Sequence, residues 1–182
     1  MATLTKDIRN IALVGHSATG KTLLTDAFLL NAGTINRLGS VQEGTTTSDY
    51  SQEEINRQIS LRATLMHIMQ GNVKLNLLDT PGYMDFSGEL AAVSYVADSA
   101  LITVDATSNG IEVGTELAWE AMEKENVPPF FAVSMLDKEH THFDDVVSTL
   151  QSRYGDRVFP TQFPVNEGPA FHAIVDVLKK KM

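Results

Sequence analysis

Cysteine is absent from all 182 residues, which excludes disulfides and thiolate metal centres and suits the cytosol. No apolar run approaches the ~18 residues that a membrane-spanning helix needs. The first residues, Met1-Ala2-Thr3-Leu4-Thr5-Lys6-Asp7, lack the apolar stretch of a secretory leader. A cytoplasmic protein without a membrane partner is therefore expected. Positive charge is scarce: 14 lysines and arginines face 23 aspartates and glutamates, a net charge of −9. This chain by itself is not expected to grip nucleic acid through a broad basic face. Internal repeats and low-complexity tracts are also missing. What remains is a chain of one domain, or one domain plus part of a second. A globule of this size buries roughly 70% of its unfolded surface, enough for a self-sufficient core.

The most informative stretch is Gly15-His16-Ser17-Ala18-Thr19-Gly20-Lys21-Thr22. It follows the apolar run Ile11 to Val14 and opens a helical pattern from Leu23 to Leu30. Gly15 and Gly20 let the backbone turn inward, so that successive N–H groups address one anion, and the helix dipole adds partial positive charge there. Lys21 can reach the β- and γ-phosphates and the Thr22 hydroxyl can ligate Mg²⁺. An ordinary glycine-rich turn would need neither the lysine nor the hydroxyl, so a nucleotide phosphate loop is the reading taken.

Along the rest of the chain, Ile8 to Val14 reads as a strand and Lys21 to Asn31 as a helix stopped at Ala32-Gly33. Residues 34–62 lose clear periodicity, with a possible helical turn at Gln52-Glu53-Glu54, and a segment of that length is commonly functional. Two apolar runs, Ala63 to Gln70 and Val73 to Leu78, flank Gly71-Asn72 and predict a hairpin. Phe86 to Asp98, Glu112 to Asn126 and His142 to Tyr154 read as helices, with Trp119 and Met122 turned inward. Ala100 to Val104 and Pro129 to Met135 read as buried strands. The expected fold is α/β: a mainly parallel sheet with one antiparallel edge strand and helices on both faces. Val158 to Val165 suits an edge strand or an extended segment. Phe171 to Met182 fits a helix or a strand.

Ligands in such sheets sit beyond the carboxyl ends of the strands, and three polar signals fall there. The first is the phosphate loop. The second, Asp79-Thr80-Pro81-Gly82, offers a carboxylate for Mg²⁺ and a glycine N–H that can approach a terminal phosphate. The third is Ser134-Met135-Leu136-Asp137, where Asp137 can accept from guanine N1–H and N2–H₂; a simple helix cap is the competing reading. Glu139, His140, His142, Asp144 and Asp145 read as a solvated loop leading into a helix rather than a metal cluster. His67 and His172 read as structural, His16 as a backbone placeholder, and Lys179 to Lys181 as a soluble tail.

Taken with Gly44-Thr45-Thr46-Thr47-Ser48-Asp49-Tyr50, Leu77 to Phe86 and Glu112-Val113-Gly114-Thr115-Glu116, these motifs resemble the translational GTPases. The likeness is closest to elongation factor G and its elongation-factor-G-like paralogues. It runs from about Asn10 to Asp145 and continues more weakly through Gln162 to Val165 and Ile174 to Leu178. The resemblance implies a P-loop G domain over residues 1–156 and the start of an insert subdomain over 157–182. The chain is expected to stop before the last sheet strand and before a further base-contacting loop. It implies GTP or GDP and Mg²⁺ as cofactors, a ribosomal partner through the longer protein, and a monomer. It also implies nucleotide contacts at Gly15, His16, Ser17, Ala18, Thr19, Gly20, Lys21, Thr22, Ser134, Met135 and Asp137. Metal ligation is implied at Thr22, Ser60 and Asp79, and catalytic roles at Lys21, Gly82 and Tyr83. Residues 34–61 would be the first switch segment.

Three departures from the family pattern bear on chemistry. Where relatives carry Arg-Gly-Ile-Thr-Ile, this chain has Arg57-Gln58-Ile59-Ser60-Leu61. The Ser60 hydroxyl remains, but the methyl that stiffens threonine is lost, so a looser switch is expected. Tyr83 replaces the histidine that orients attacking water, and slow hydrolysis is expected. Ser134 and Met135 replace Asn and Lys, with Ser134 expected to be too short to bridge the loops, so guanine preference should weaken, and the missing base-contacting loop should make binding weak. Hence two readings, a GTP-hydrolysing switch and a GTP-loaded binding module with little turnover. A P-loop enzyme acting on ATP stands behind them, opposed by Asp137.

Overall fold

The computed structural model describes residues 3–108 and 110–182; the leader reading at Met1 and Ala2 lies outside them. A five-stranded sheet runs in the order β2-β3-β1-β4-β5. Its strands are β1 (Ile8–Gly15), β2 (Thr64–Gln70), β3 (Val73–Asp79), β4 (Ser99–Asp105) and β5 (Pro129–Ser134). All pairs are parallel except β2–β3, the hairpin turning at Gly71-Asn72, which puts β2 antiparallel at one edge.

Side-chain alternation in β1 divides the core. Ala12 and Val14 face one side, where they pack with Ala100 and Ile102 of β4 beneath α3 (Ser87–Val96) and α4 (Val113–Lys124). Leu13 faces the other side and meets Leu77, Met66 and Ile68 beneath Leu29 of α1 (Lys21–Asn31). Such period-two burial on both faces is what crossover helices on both sides of a parallel sheet demand. A third cluster joins Val104 to Val146, Leu150 and Tyr154 of α5 (Phe143–Tyr154). There Trp119, half-way along α4, stacks on Tyr154 with ring centroids 4.1 Å apart and on Phe131 at 5.7 Å. Met122 is fully buried.

The turn expected near Gln52 is a six-residue helix, α2 (Gln52–Arg57). A helix this short has little stability of its own. Ser51 and Glu54 close a capping box around its start, which satisfies its free N–H groups. Val158 to Val165, read as an edge strand or an extended segment, is strand over its second half. Only Gln162–Val165 (β6) forms a strand, and it pairs antiparallel with Ala173–Asp176 (β7) in a separate two-stranded sheet. Within the ambiguous Phe171 to Met182 stretch, Ala173–Asp176 is strand and 177–180 a turn. Pro160 lies outside β6, where its missing N–H costs no ladder bond.

Candidate functional site

The carboxyl ends of β1, β3, β4 and β5 share one rim, so their following loops lie together. β1 ends at Gly15, whose φ of 131° and close approach to β4 leave no room for a side chain: an added Cβ would sit 2.6 Å from the Thr103 carbonyl oxygen. Through the loop, Ala18 adopts a left-handed φ of 60° and Gly20 one of 87°. The Thr19 hydroxyl bonds that of Thr103 at 2.6 Å, pinning the loop to β4. Lys21 then opens α1. Its ammonium is buried and donates to the Gly15 carbonyl at 3.1 Å and to that of His16. Burial lowers the Lys21 pKa to about 8, against the raising influence of Asp79 and Glu112.

Asp79 ends β3 and is 1% exposed. Burial pushes its carboxyl up to about 6, opposed by the neighbouring Ser48 and Thr22 hydroxyls and by the charge of Lys21. The Ser48 hydroxyl donates to Oδ2 at 2.7 Å, whereas Oδ1 is buried with no hydrogen-bond partner among the described residues. The hydroxyls of Thr22 and Ser60 stand 3.3 Å apart beside it. An orphaned carboxylate oxygen next to two hydroxyls is a hard, all-oxygen donor set, which fits Mg²⁺. The Thr80 hydroxyl and N–H both donate to the Leu13 carbonyl, at 2.7 and 3.2 Å, and so bring Gly82 against the phosphate loop. A Cβ on Gly82 would lie 2.6 Å from the Ser17 nitrogen, so only glycine permits the approach. Tyr83 is next in the chain and 43% exposed. With Gly15, Pro81 and Gly114 it lines a small cavity of about 20 Å³.

On the base-recognition side, one expectation is overturned. Ser134 does bridge the loops: its hydroxyl donates to the Thr19 carbonyl at 2.8 Å and also lies 3.1 Å from that of Val104. The serine suffices because the end of β5 lies next to the phosphate loop. Met135 takes a left-handed φ of 58°, and Asp137 is exposed. The loop between them is buttressed from behind, where the Gly168 N–H donates to the Leu136 carbonyl at 2.8 Å.

His16 is likewise more than a placeholder. Its Nδ1 accepts from the Gly114 N–H at 3.2 Å and its Nε2 lies 3.8 Å from a Glu112 carboxylate oxygen. This ties the phosphate loop to the start of α4. Burial raises the Glu112 pKa, and His16 opposes that shift. Sequence reasoning assigned no role to Ser48, Thr103 or Glu112. Ser48 and Glu112 lay within recognised motifs, but nothing local to Thr103 signals a partner in the phosphate loop.

A phosphate loop between β1 and α1, an acidic turn after β3 and a base-side loop after β5 define a P-loop nucleotide-binding domain of the GTPase type. The chain belongs to the family described as the elongation factor Tu GTP binding domain, which matches residues 6–179. It is 36% identical over 161 residues to an elongation factor G-like protein of Mycobacterium tuberculosis, covering 88% of this chain and 22% of that one. It is 32% identical over 176 residues to elongation factor G of Mycoplasma genitalium, covering 97% of this chain and 25% of that one. A solved structure from Thermus thermophilus superposes with a TM-score of 0.88 at 37% identity, covering 94% of this chain and 26% of that one. The chain thus spans about a quarter of the length of these relatives.

Proposed function

We propose that this domain binds GTP and hydrolyses it as the switch of an elongation-factor-G-like translation factor acting on the ribosome. The observation that carries the reading is the meeting of Lys21, Thr22, Ser60, Asp79 and Gly82 at one rim. The phosphate loop from Gly15 to Gly20 offers backbone N–H groups to the α- and β-phosphates, and Lys21 offers its charge to the β- and γ-phosphates. Thr22, Ser60 and Asp79 would hold Mg²⁺, which when bound neutralises charge on the phosphate oxygens. The Gly82 N–H lies where a γ-phosphate oxygen would be sensed. Tyr83 stands where the attacking water is oriented, and Asp137 reads the guanine edge while Met135 covers the base.

The exposed phenol of Tyr83 favours slow turnover, because it is open to solvent and cannot become an imidazolium. A GTP-loaded module with little hydrolysis is accordingly the second reading. Residues 1–156 form the nucleotide domain in this proposal and 157–182 begin an insert subdomain. The protein works as a cytoplasmic monomer, and no helix among the described residues is long and apolar enough to cross a membrane.

Titration with fluorescent GDP and GTP in Mg²⁺, competed by unlabelled GTP and ATP, tests the assignment. Binding with a dissociation constant above about 1 μM, lost in Lys21→Ala and displaced by GTP but not ATP, is expected. Equal displacement by ATP would refute guanine selectivity. Single-turnover hydrolysis with ribosomes, in the longer protein, separates the two readings.

A further inference from the structure

The loop that carries Met135 and Asp137 is held in a costly shape. Met135 at its start and His140 near its end take left-handed φ values of 58° and 62° without being glycine. Such residues persist only where their surroundings over-determine them. Part of the constraint is local: the Lys138 N–H donates to the Met135 carbonyl at 3.1 Å, and the His142 N–H to that of Ala106 at 3.3 Å. The rest comes from the segment that leaves β6.

β6 ends at Val165, and the next three residues turn onto the loop, with Asn166 and Gly168 at left-handed φ values of 55° and 81°. The Glu167 carboxylate accepts the Phe143 N–H at 2.7 Å, where α5 begins. The Gly168 N–H donates to the Leu136 carbonyl. Gly168 is buried, and a Cβ there would lie 3.5 Å from the Lys138 carbonyl oxygen. Two successive residues therefore grip the loop on either side of Asp137.

Each grip fills a gap in the loop's own bonding. The first N–H groups of a helix have no partner within it, and His142 provides α5 with no side-chain cap. Glu167 supplies that acceptor, and a carboxylate is what the helix dipole favours at this end. The Leu136 carbonyl belongs to the peptide unit that leads into Asp137, so its bond to Gly168 sets the plane from which Asp137 departs. Asp137 itself is exposed, so packing does little to aim it and the backbone beneath it decides its direction.

We propose that Glu167 and Gly168 are positioning residues for base recognition, which aim Asp137 at the guanine edge by clamping residues 136–143 from the β6–β7 side. The clamp acts on the base and leaves the phosphates to Lys21 and Thr22. The inference rests on the reading of Asp137 as the acceptor for guanine N1–H and N2–H₂.

Inosine diphosphate separates the two sides of the site, because its base is guanine without the 2-amino group. GDP, inosine diphosphate and inorganic pyrophosphate are each competed against fluorescent GDP in Mg²⁺, on the full chain. Wild type is expected to prefer GDP over inosine diphosphate about tenfold, the worth of one hydrogen bond to a carboxylate. Glu167→Ala should cut this preference to about twofold while pyrophosphate affinity stays within about twofold of wild type. Glu167→Gln, which keeps a carbonyl acceptor for Phe143, should recover at least about a fivefold preference. An undiminished preference in Glu167→Ala would overturn the proposal. So would an equal loss for all three competitors, which marks a merely structural residue, and so would a glutamine as poor as alanine.

Gly168→Ala keeps the N–H but strains the left-handed turn, and serves if Glu167→Ala does not fold. Its preference should drop to about threefold, and no drop would count against the clamp. Asp137→Ala tests the reading underneath and should abolish the preference. If it does not, the guanine reading fails and takes the proposal with it. A loss in Asp137→Ala with none in Glu167→Ala refutes the positioning role alone.

Discussion

At the residue scale, Gln58 and Asp79 carry the sharpest consequences. Gln58 caps the end of α2 at a φ of 56°, a conformation in which a Cβ crowds its own backbone. Glycine relieves that strain but loses more freedom on folding, so Gln58→Gly should stabilise the domain by about 0.5–1 kcal/mol in urea unfolding. Asp79 is an ionised acid held in a dry place. Its pKa of about 6 lies above the ordinary carboxylate value. Folding therefore takes up a proton between the two values, and the advantage this gives at low pH is gone above about pH 6. Without metal at pH 8, Asp79→Asn should be more stable than wild type by about 1–3 kcal/mol, with the gap closing by pH 4. Added Mg²⁺ should raise the unfolding midpoint of the wild type only. Thermal scans across pH, with and without Mg²⁺, check both halves.

Among the elements, the phosphate loop depends on neighbours as much as on its own glycines. Thr103 of β4 and Ser134 of β5 bond its Thr19 from two strands. Ser134→Ala removes a single hydroxyl that links three segments, and the Thr19 carbonyl is left without that donor. A loss of about 1–2 kcal/mol in unfolding free energy is expected, together with weaker GDP binding in the same fluorescence titration. The hairpin β2–β3 was plain from Gly71-Asn72 between two apolar runs, because a two-residue turn is a local event. The bridging by Ser134 was not. Whether a short side chain reaches depends on how closely two loops approach, and residue spacing along the chain carries no such distance.

For the whole molecule, two surfaces matter. The rim exposes Tyr83, and under the proposed function Tyr83→His should accelerate single-turnover GTP hydrolysis by about 10²-fold if one water-orienting contact is what the phenol lacks. At the far side of the sheet, β5 has β4 as its only neighbour in the sheet and carries Phe130, 63% exposed. An apolar groove of about 880 Å³ runs beside it, between Phe28 of α1 and the β6–β7 hairpin. Open strand edges with apolar side chains invite association. Phe130→Lys should lower light scattering by concentrated samples while leaving the thermal midpoint within about 2 °C.

By itself the sequence determined the order of strands and helices, the phosphate loop and the three rim positions. Each rests on local physics: apolar periodicity, a left-handed glycine, a lysine and a hydroxyl at the start of a helix. Tertiary structure alone decided that Ser134 spans two loops, that His16 reaches α4, that β6 and β7 pair apart from the main sheet, and that the Asp26 and Glu54 carboxylates accept backbone N–H groups across residues 39–62. The first two of these contacts join residues 115 and 98 positions apart. Polar side chains of that kind have no periodicity to betray them, and their partners are settled only when the sheet brings distant loops to one edge.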